Sequence, residues 1–444
     1  MIRKLAITAI AALLMPVPGW SVDFDGASRG GDIMERISQV ELSIPAEAIA
    51  AQDQDKGIFD WLFGKKKQAE WTIMVFSSAK NDLERFLLAD INEMELVGST
   101  DKVNIVVEVG RMEGYDASDG NWTGVRRYLI QKDSDMTKMG SEMIQDLGMI
   151  DQGDWRNLAA FGKWAKEKYP ARKYMLIVSN HGDGWLKNKA AEGRVENKGI
   201  SYDEESGNHI TTPELAMAMR EIGKVDVFST DACLMQMAEV VYEIKDLTDF
   251  IVGSEETEPG AGYDYETFMG PIAARPEMTP IEVGRLTVDA YADQYDKLNQ
   301  GYTQSLARAS AVAGLLTATN SFADAMMASG EKALAKTARN ATINYAIGEN
   351  RDMYDFTHRV VEGSQDQNVK AAGQALMDYI TGSLMIHNRT RDSQGSFWGP
   401  PQQYTLSMGM AAYFPYSGLA NGYSELAWAR DSRWDEFVTW MNQP

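Results

Sequence analysis

Cysteine is nearly missing: Cys233 is the only one in 444 residues. A lone thiol cannot close an intramolecular disulfide, so no disulfide framework holds this chain. Histidine is almost as scarce. The four at 181, 209, 358 and 387 lie far apart, and with one cysteine they give no zinc-ligand spacing. Basic residues are outnumbered, 43 against 64 acidic, for a formal net charge of −21. That balance speaks against nucleic acid and anionic membrane surfaces as partners and suits cationic ones. Beyond the N-terminus no run is long and apolar enough to span a bilayer, so no membrane insertion of the mature form is expected.

What is present is a core. A hydrophobic fraction of 44% with eleven tryptophans predicts a packed globule, long enough for two subdomains. At the start, Arg3 and Lys4 precede an apolar run from Leu5 to Met15, broken by Pro16, Pro18 and Gly19. This has signal-peptide form, with residues 1–21 as the segment removed, and predicts a secreted or periplasmic protein. Residues 22–70 are acidic and weakly periodic, with a Gly64-Lys65-Lys66-Lys67 cluster, and read as a pro-segment or flexible lead-in.

From Trp71 to Ser254 strand-like and helix-like stretches alternate. Trp71–Phe76, Val103–Val109, Lys173–Ser179, Val225–Phe228 and Phe250–Ser254 are the strands; Leu83 to Met94, Trp155 to Lys168, Thr211 to Ile222 and Met235 to Lys245 carry the helical patterns. The expected fold class is α/β: a mostly parallel sheet flanked by helices. This catalytic domain is placed at 71–275. Residues 276–444, with helical patterns at Ile281–Gln294, Ser321–Lys336 and Val369–Ile386, are read as a smaller, mainly helical C-terminal subdomain.

In such sheets ligands sit past the C-terminal ends of the strands. Two strand ends there carry reactive residues. Tyr174-Met-Leu-Ile-Val-Ser-Asn leads into His181-Gly182-Asp183-Gly184-Trp185, and Val225-Asp-Val-Phe-Ser-Thr-Asp231-Ala leads into Cys233. An imidazole can accept the proton of a thiol that is otherwise mostly neutral, leaving a strong nucleophile. Gly182 lets a substrate carbonyl approach the backbone, and its N–H and that of Cys233 are the candidate oxyanion donors. The other three histidines end no apolar strand and are read as structural or solvated.

Acidic residues crowd the cysteine: between Val225 and Phe268 there are eleven, with Lys245 as the sole basic residue. Asp231, Glu255, Glu256, Glu258 and Asp264 could rim the crevice and attract Arg or Lys side chains. Glu239, Glu243 and Asp246 read as a solvated helix face. Asp116-Ala-Ser-Asp119-Gly120 lacks the full ligand spacing of a calcium loop.

These segments resemble the clostripain family of cysteine peptidases, relatives of caspases and gingipains, over about Trp71 to Met441. The Trp71-Thr-Ile-Met-Val opening, Asp90-Ile-Asn-Glu-Met94, Asn180-His181-Gly182-Asp183-Gly184-Trp185, Asp231-Ala-Cys233-Leu-Met and Gly253-Ser-Glu-Glu-Thr-Glu-Pro-Gly260 carry the likeness. The resemblance implies a caspase-like fold, His181 as catalytic histidine, Cys233 as nucleophile, and an endopeptidase cleaving protein or peptide substrates after Arg, and Lys as a second option. It implies Asp231 among the pocket acids, with Glu258 or Asp264 as a second. It also implies self-cleavage between the histidine and cysteine strands, with Arg194 as the candidate among Lys187, Lys189, Arg194 and Lys198. Some relatives depend on calcium; no residue here is assigned to it, and no metal or other cofactor is expected. Lys80 departs from the pattern, standing where relatives usually have an acid. Two other readings fit the same residues: a catalytically silent secreted binding protein, and a cysteine hydrolase of non-peptide amides.

Overall fold

The computed structural model describes residues 68–185, 199–394 and 401–444. The segments read as signal peptide and lead-in therefore lie outside the described residues, apart from 68–70.

In chain order, β1 (Ala69–Ala79) is followed by α1 (Glu84–Val97), β2 (Val103–Arg111), β3 (Gly124–Leu129), β4 (Met143–Gly148), α2 (Trp155–Lys168) and β5 (Ala171–Ser179). Next come the hairpin β6 (Gly199–Asp203) and β7 (Asn208–Thr211), α3 (Thr212–Ile222), β8 (Val225–Asp231), α4 (Ala238–Ile244) and β9 (Thr248–Gly253). The rest comprises α5 (Tyr265–Ala274), α6 (Pro280–Leu298), β10 (Tyr302–Arg308), α7 (Val312–Ser329), α8 (Lys332–Ala341), β11 (Asn350–Asp352), α9 (Met353–Gly363) and α10 (Gln367–Tyr379). It closes with β12 (Met385–Arg391), β13 (Ala411–Tyr413), α11 (Ala427–Asp431) and α12 (Trp434–Asn442).

Among the described residues one nine-stranded sheet runs in the order β12-β10-β9-β8-β5-β1-β2-β3-β4. Its centre, β9-β8-β5-β1-β2, is parallel. Both flanks are antiparallel. The period of two along each strand sends alternate side chains to opposite faces. Met74 and Phe76 of β1 and Leu176 and Val178 of β5 join one apolar cluster. Ile73, Val75, Met175 and Ile177 join the other. Helices α2, α3 and α4 cover the first face, while α1, α5 and α6 cover the second. Both faces are buried, which is why the central strands read as continuous apolar runs.

The C-terminal half is helical but does not stand apart from the sheet, since β10 and β12 extend it. The apolar residues of α7, α9, α10 and α12 belong to the same cluster as α2 and α3. Two helical expectations change here. The pattern over Ser321–Lys336 is split by Gly330, whose left-handed φ of 73° ends α7 before α8 begins. The pattern over Val369–Ile386 stops with α10 and a single wide turn at 380–384, then becomes the edge strand β12.

Candidate active site

Strands β5 and β8 are parallel neighbours, with Ser179 in register with Asp231. His181 and Cys233 each stand two residues beyond that pair, so the two turns leave the sheet side by side. Neighbouring strands lie about 4.8 Å apart. The Asn180 N–H donates to the Asp231 carbonyl at 3.2 Å and ties the turns together. Gly182 is where they touch: a Cβ there would lie 2.4 Å from the Cys233 carbonyl oxygen and 3.0 Å from Ala232 Cβ. Only a residue without a side chain fits that gap. From the central β1 the chain builds outward through β2 on one side and later through β5 on the other, so the turns after β1 and β5 flank the point where strand order reverses, with the turn after β8 next to them.

A crevice of about 310 Å³ opens there, and both His181 and Cys233 line it. His181 Nε2 meets Asp82 Oδ1 at 2.6 Å. Burial works to raise the Asp82 carboxyl, but the hydrogen bond and charge of His181 prevail and hold it below its ordinary value. An ionised carboxylate only accepts. It therefore fixes the proton on Nε2 and leaves Nδ1 as the basic nitrogen. Cys233 Sγ accepts the Glu258 N–H at 3.2 Å. Burial pushes the thiol well above its ordinary value, and that N–H offsets the shift only in part. The next residue, Leu234, is held at φ 63°, a left-handed conformation costly for a side chain of that size. Its N–H donates to the Glu256 carbonyl at 3.1 Å, which holds the turn in place. Among the described residues no protein acceptor takes the N–H of Gly182 or Cys233.

Three further carboxylates line the same crevice as Asp82: Asp90 of α1, Asp231 at the end of β8, and Glu258 beyond β9. All three are at least nine-tenths buried. Asp231 Oδ2 accepts the Tyr265 hydroxyl at 2.8 Å and the Ser179 hydroxyl at 3.1 Å. Glu258 Oε1 accepts the Gln304 amide at 3.2 Å. Burial raises all three carboxyls; the charge of Asp231 raises Asp90 and Glu258 further, and its hydrogen bonds partly offset the shift of Asp231 itself. Gly262, at φ 57°, lets the 259–262 turn close over the pocket, since a Cβ there would meet Asp231 Oδ1 at 2.8 Å. The cavity thus pairs a thiol and an imidazole with a buried anionic recess.

The sequence-derived residues are not all brought together. Asp264 is the N-cap of α5; it accepts the Thr267 N–H at 2.9 Å and hydroxyl at 2.6 Å and does not line the crevice. Arg194 lies outside the described residues. Glu239 and Glu243 are not a solvated face. Glu239 is buried and accepts the Tyr413 N–H at 3.0 Å and the Tyr423 hydroxyl at 3.1 Å. Glu243 accepts the Ala427 N–H at 2.5 Å. Two residues escaped the sequence reading. Asn81 and Asp82 both read as caps for α1, yet the helix has no side-chain cap: Asn81 Oδ1 accepts the Leu83 N–H at 3.1 Å ahead of it, and Asp82 meets His181. Asp90 had a visible signal, being an acid within the apolar stripe of Leu87, Ile91 and Met94.

The carboxylates of the Asp116–Gly120 turn have partners within the protein. The Asp116 carboxylate caps Ser118 and lies 3.5 Å from Arg111, and Asp119 Oδ1 takes the Met139 N–H at 2.8 Å. Among the described residues no helix is long and apolar enough to cross a membrane.

The same architecture occurs in solved cysteine proteases. A structure described as a secreted C11 cysteine protease from Bacteroides thetaiotaomicron, in complex with an irreversible peptide inhibitor, superimposes with a TM-score of 0.62 at 18% identity, covering 83% of this chain and 100% of that one. One described as an inactive zymogen C11 protease from Parabacteroides distasonis gives 0.61 at 17% identity, covering 82% and 98%. At such identities the likeness is one of fold. Clostripain from Hathewaya histolytica is 28% identical over 232 residues, 47% of this chain and 43% of the relative, so the chain spans less than half the length of that curated relative. The Clostripain family model matches residues 75–440, and the chain belongs to that family.

Proposed function

We propose that this protein is an exported cysteine endopeptidase that cleaves peptide bonds after arginine, and after lysine less efficiently. The observation that carries the reading is the crevice itself, in which Cys233 and His181 share walls with Asp90, Asp231 and Glu258. A guanidinium is a planar fork that binds carboxylates in pairs, whereas an ammonium is a compact point charge.

The substrate's basic side chain enters the acidic recess and presents the following carbonyl to Cys233. His181 Nδ1 takes the thiol proton as sulfur attacks the carbonyl carbon. The N–H groups of Gly182 and Cys233 receive the developing oxyanion, an interaction worth on the order of a hundredfold or more in rate per donor. The tetrahedral intermediate collapses; the imidazolium gives its proton to the departing amine, leaving a thioester on Cys233. Water then attacks with His181 as base, releasing the acid and restoring the thiol. Asp82 touches no reacting atom. It positions the imidazole and balances its charge while protonated.

Export rests on the apolar run at Leu5–Met15, and the described relative from B. thetaiotaomicron is a secreted protein. Self-cleavage in the segment after Trp185 is carried over from the family resemblance; its basic residues, with Arg194 the favoured site, and a relative described as a zymogen support it. No cofactor enters the scheme.

The test is hydrolysis of reporter peptides ending in Arg, Lys, citrulline or Leu by the full chain and by Cys233→Ala. The proposal expects Arg first, Lys second, little else, and no turnover by the variant. Turnover by Cys233→Ala would assign the chemistry elsewhere, and equal rates on Arg and Leu would remove the role of the acids.

A further inference from the structure

The recess has more carboxylate than one substrate cation needs, and this has a consequence for how it binds. Glu258 Oε1 is taken by Gln304, but Glu258 Oε2 is buried with no donor among the described residues. That carboxyl lines the same crevice as the buried Asp231 carboxyl, whose charge raises it further. Asp231 Oδ2 is already occupied by the Tyr265 and Ser179 hydroxyls. Two carboxylates buried in one recess, with no buried cation among its lining residues, do not both stay ionised, so one of them carries a proton.

The surroundings do not relieve this. From α1, Asp90 and Glu93 add charge of the same sign. Tyr263, Tyr265 and, from α6, Tyr295 are buried phenols whose shifts keep them neutral. Gln304 of β10 is an uncharged amide, and burial keeps the Cys233 thiol protonated. The remaining titratable pair in the crevice is His181 with Asp82. Arg85 also lines the crevice, but it is exposed, with its guanidinium 4.6 Å from the Phe86 ring centre.

We propose that the empty recess holds one proton between Asp231 and Glu258 and releases it to solvent when a guanidinium or ammonium side chain enters. Recognition of the basic residue is thereby coupled to deprotonation of its own pocket. The proposal rests on the reading of the recess as the site for a basic side chain. Entry of the cation and loss of the proton leave the net charge of the occupied pocket unchanged. Binding therefore weakens as pH falls, because protons compete with the ligand for the carboxylate pair, while a neutral ligand of the same shape has no such competition.

The experiment measures competitive inhibition of Arg-reporter hydrolysis by butylguanidine and by its neutral isostere butylurea, from pH 5 to 8. The expected inhibition constant of butylguanidine falls toward tenfold per pH unit on its acid limb and then levels, while that of butylurea is flat. Glu258→Gln, whose amide supplies a permanent donor, should flatten the butylguanidine profile. A flat profile in the unaltered protein overturns the proposal, as does a slope that survives Glu258→Gln. Calorimetry of the unaltered chain in phosphate and in Tris gives the proton count without a substitution. Release approaching one proton per butylguanidine at the acid end supports the proposal, and no release refutes it. If butylguanidine fails to compete and no Arg reporter is cut, the reading of the recess falls and the proton coupling with it. If Arg reporters are cut but the profile is flat, only the coupling falls.

Discussion

Replacing Asp231 with asparagine isolates the charge of the proposed specificity recess from its shape. Asn keeps the volume, and its carbonyl oxygen can still accept the Ser179 and Tyr265 hydroxyls that now meet Oδ2 at 3.1 and 2.8 Å. The new amide lies in the same recess as Glu258, whose Oε2 lacks a donor among the described residues. What it removes is one buried negative charge from the path of the substrate cation. Breaking a buried ion pair costs about 3–5 kcal/mol. Here Asp90 and Glu258 still supply charge, which lowers the expected loss to about 2–3 kcal/mol, in the range of a hydrogen bond to a charged group. At about 1.4 kcal/mol per decade that is roughly 30- to 150-fold in kcat/KM on Arg reporters. A citrulline reporter should change by less than about threefold, roughly 0.6 kcal/mol. The assay is steady-state hydrolysis of both reporters, with thermal melting to confirm an intact fold. Equal losses on Arg and citrulline, or none on either, would refute the assignment of Asp231 to the recess.

Three further outcomes follow from the geometry. Asp82→Asn should lower kcat on Arg reporters by about 10- to 100-fold with KM little changed, as expected for a charge-assisted hydrogen bond to a half-exposed partner; a loss confined to KM would mean that Asp82 contacts substrate. Because the Asp82 carboxyl is held below its ordinary value of about 3.9, the pair persists above that pH and is lost only as pH falls through the lowered value. The Asp82→Asn deficit should therefore be the same at pH 6 and pH 8. Gly182→Ala forces a Cβ to within 2.4 Å of a backbone carbonyl, so about 1–3 kcal/mol of stability and most activity should go together; unchanged melting and turnover would show that the two turns do not touch. Finally, since burial raises the Cys233 thiol, its alkylation by iodoacetamide in the resting enzyme should climb steadily from pH 6 to 9, and a plateau near pH 6 would reveal a preformed thiolate.

The central sheet and the placing of His181 and Cys233 past its strand ends were legible for one reason: both depend on apolar strands that end abruptly. Strands buried on both faces leave unbroken runs such as Met175–Val178, and a histidine or cysteine just past such a run stands out. The shared offset from the Ser179–Asp231 pair could not be read, because strand order and register are long-range properties. The edges were illegible for the opposite reason. All of β12 is half-buried and spells Met385-Ile-His-Asn-Arg-Thr-Arg391, with no alternation, and its arginines are held by Asp289, Asp293 and Asp296 of α6. Buried acids misled in both directions. Glu239 looks solvated at helical spacing, yet it holds backbone and tyrosine donors from the C-terminal half. Asp264 sits beside the pocket in sequence but spends its carboxylate on the first turn of α5. Only tertiary contacts tell a capping or bracing carboxylate from one that faces a ligand.

In the proposed mechanism Cys233 and His181 act together on a carbonyl held by a basic side chain. Mass spectrometry after incubation with a peptidyl arginine chloromethyl ketone tests it most directly. The expected result is one adduct on Cys233, formed at least a hundredfold more slowly in His181→Ala and slowed by competing butylguanidine. An adduct forming at the same rate in His181→Ala, or persistent Arg-reporter hydrolysis by the fully alkylated protein, would contradict it.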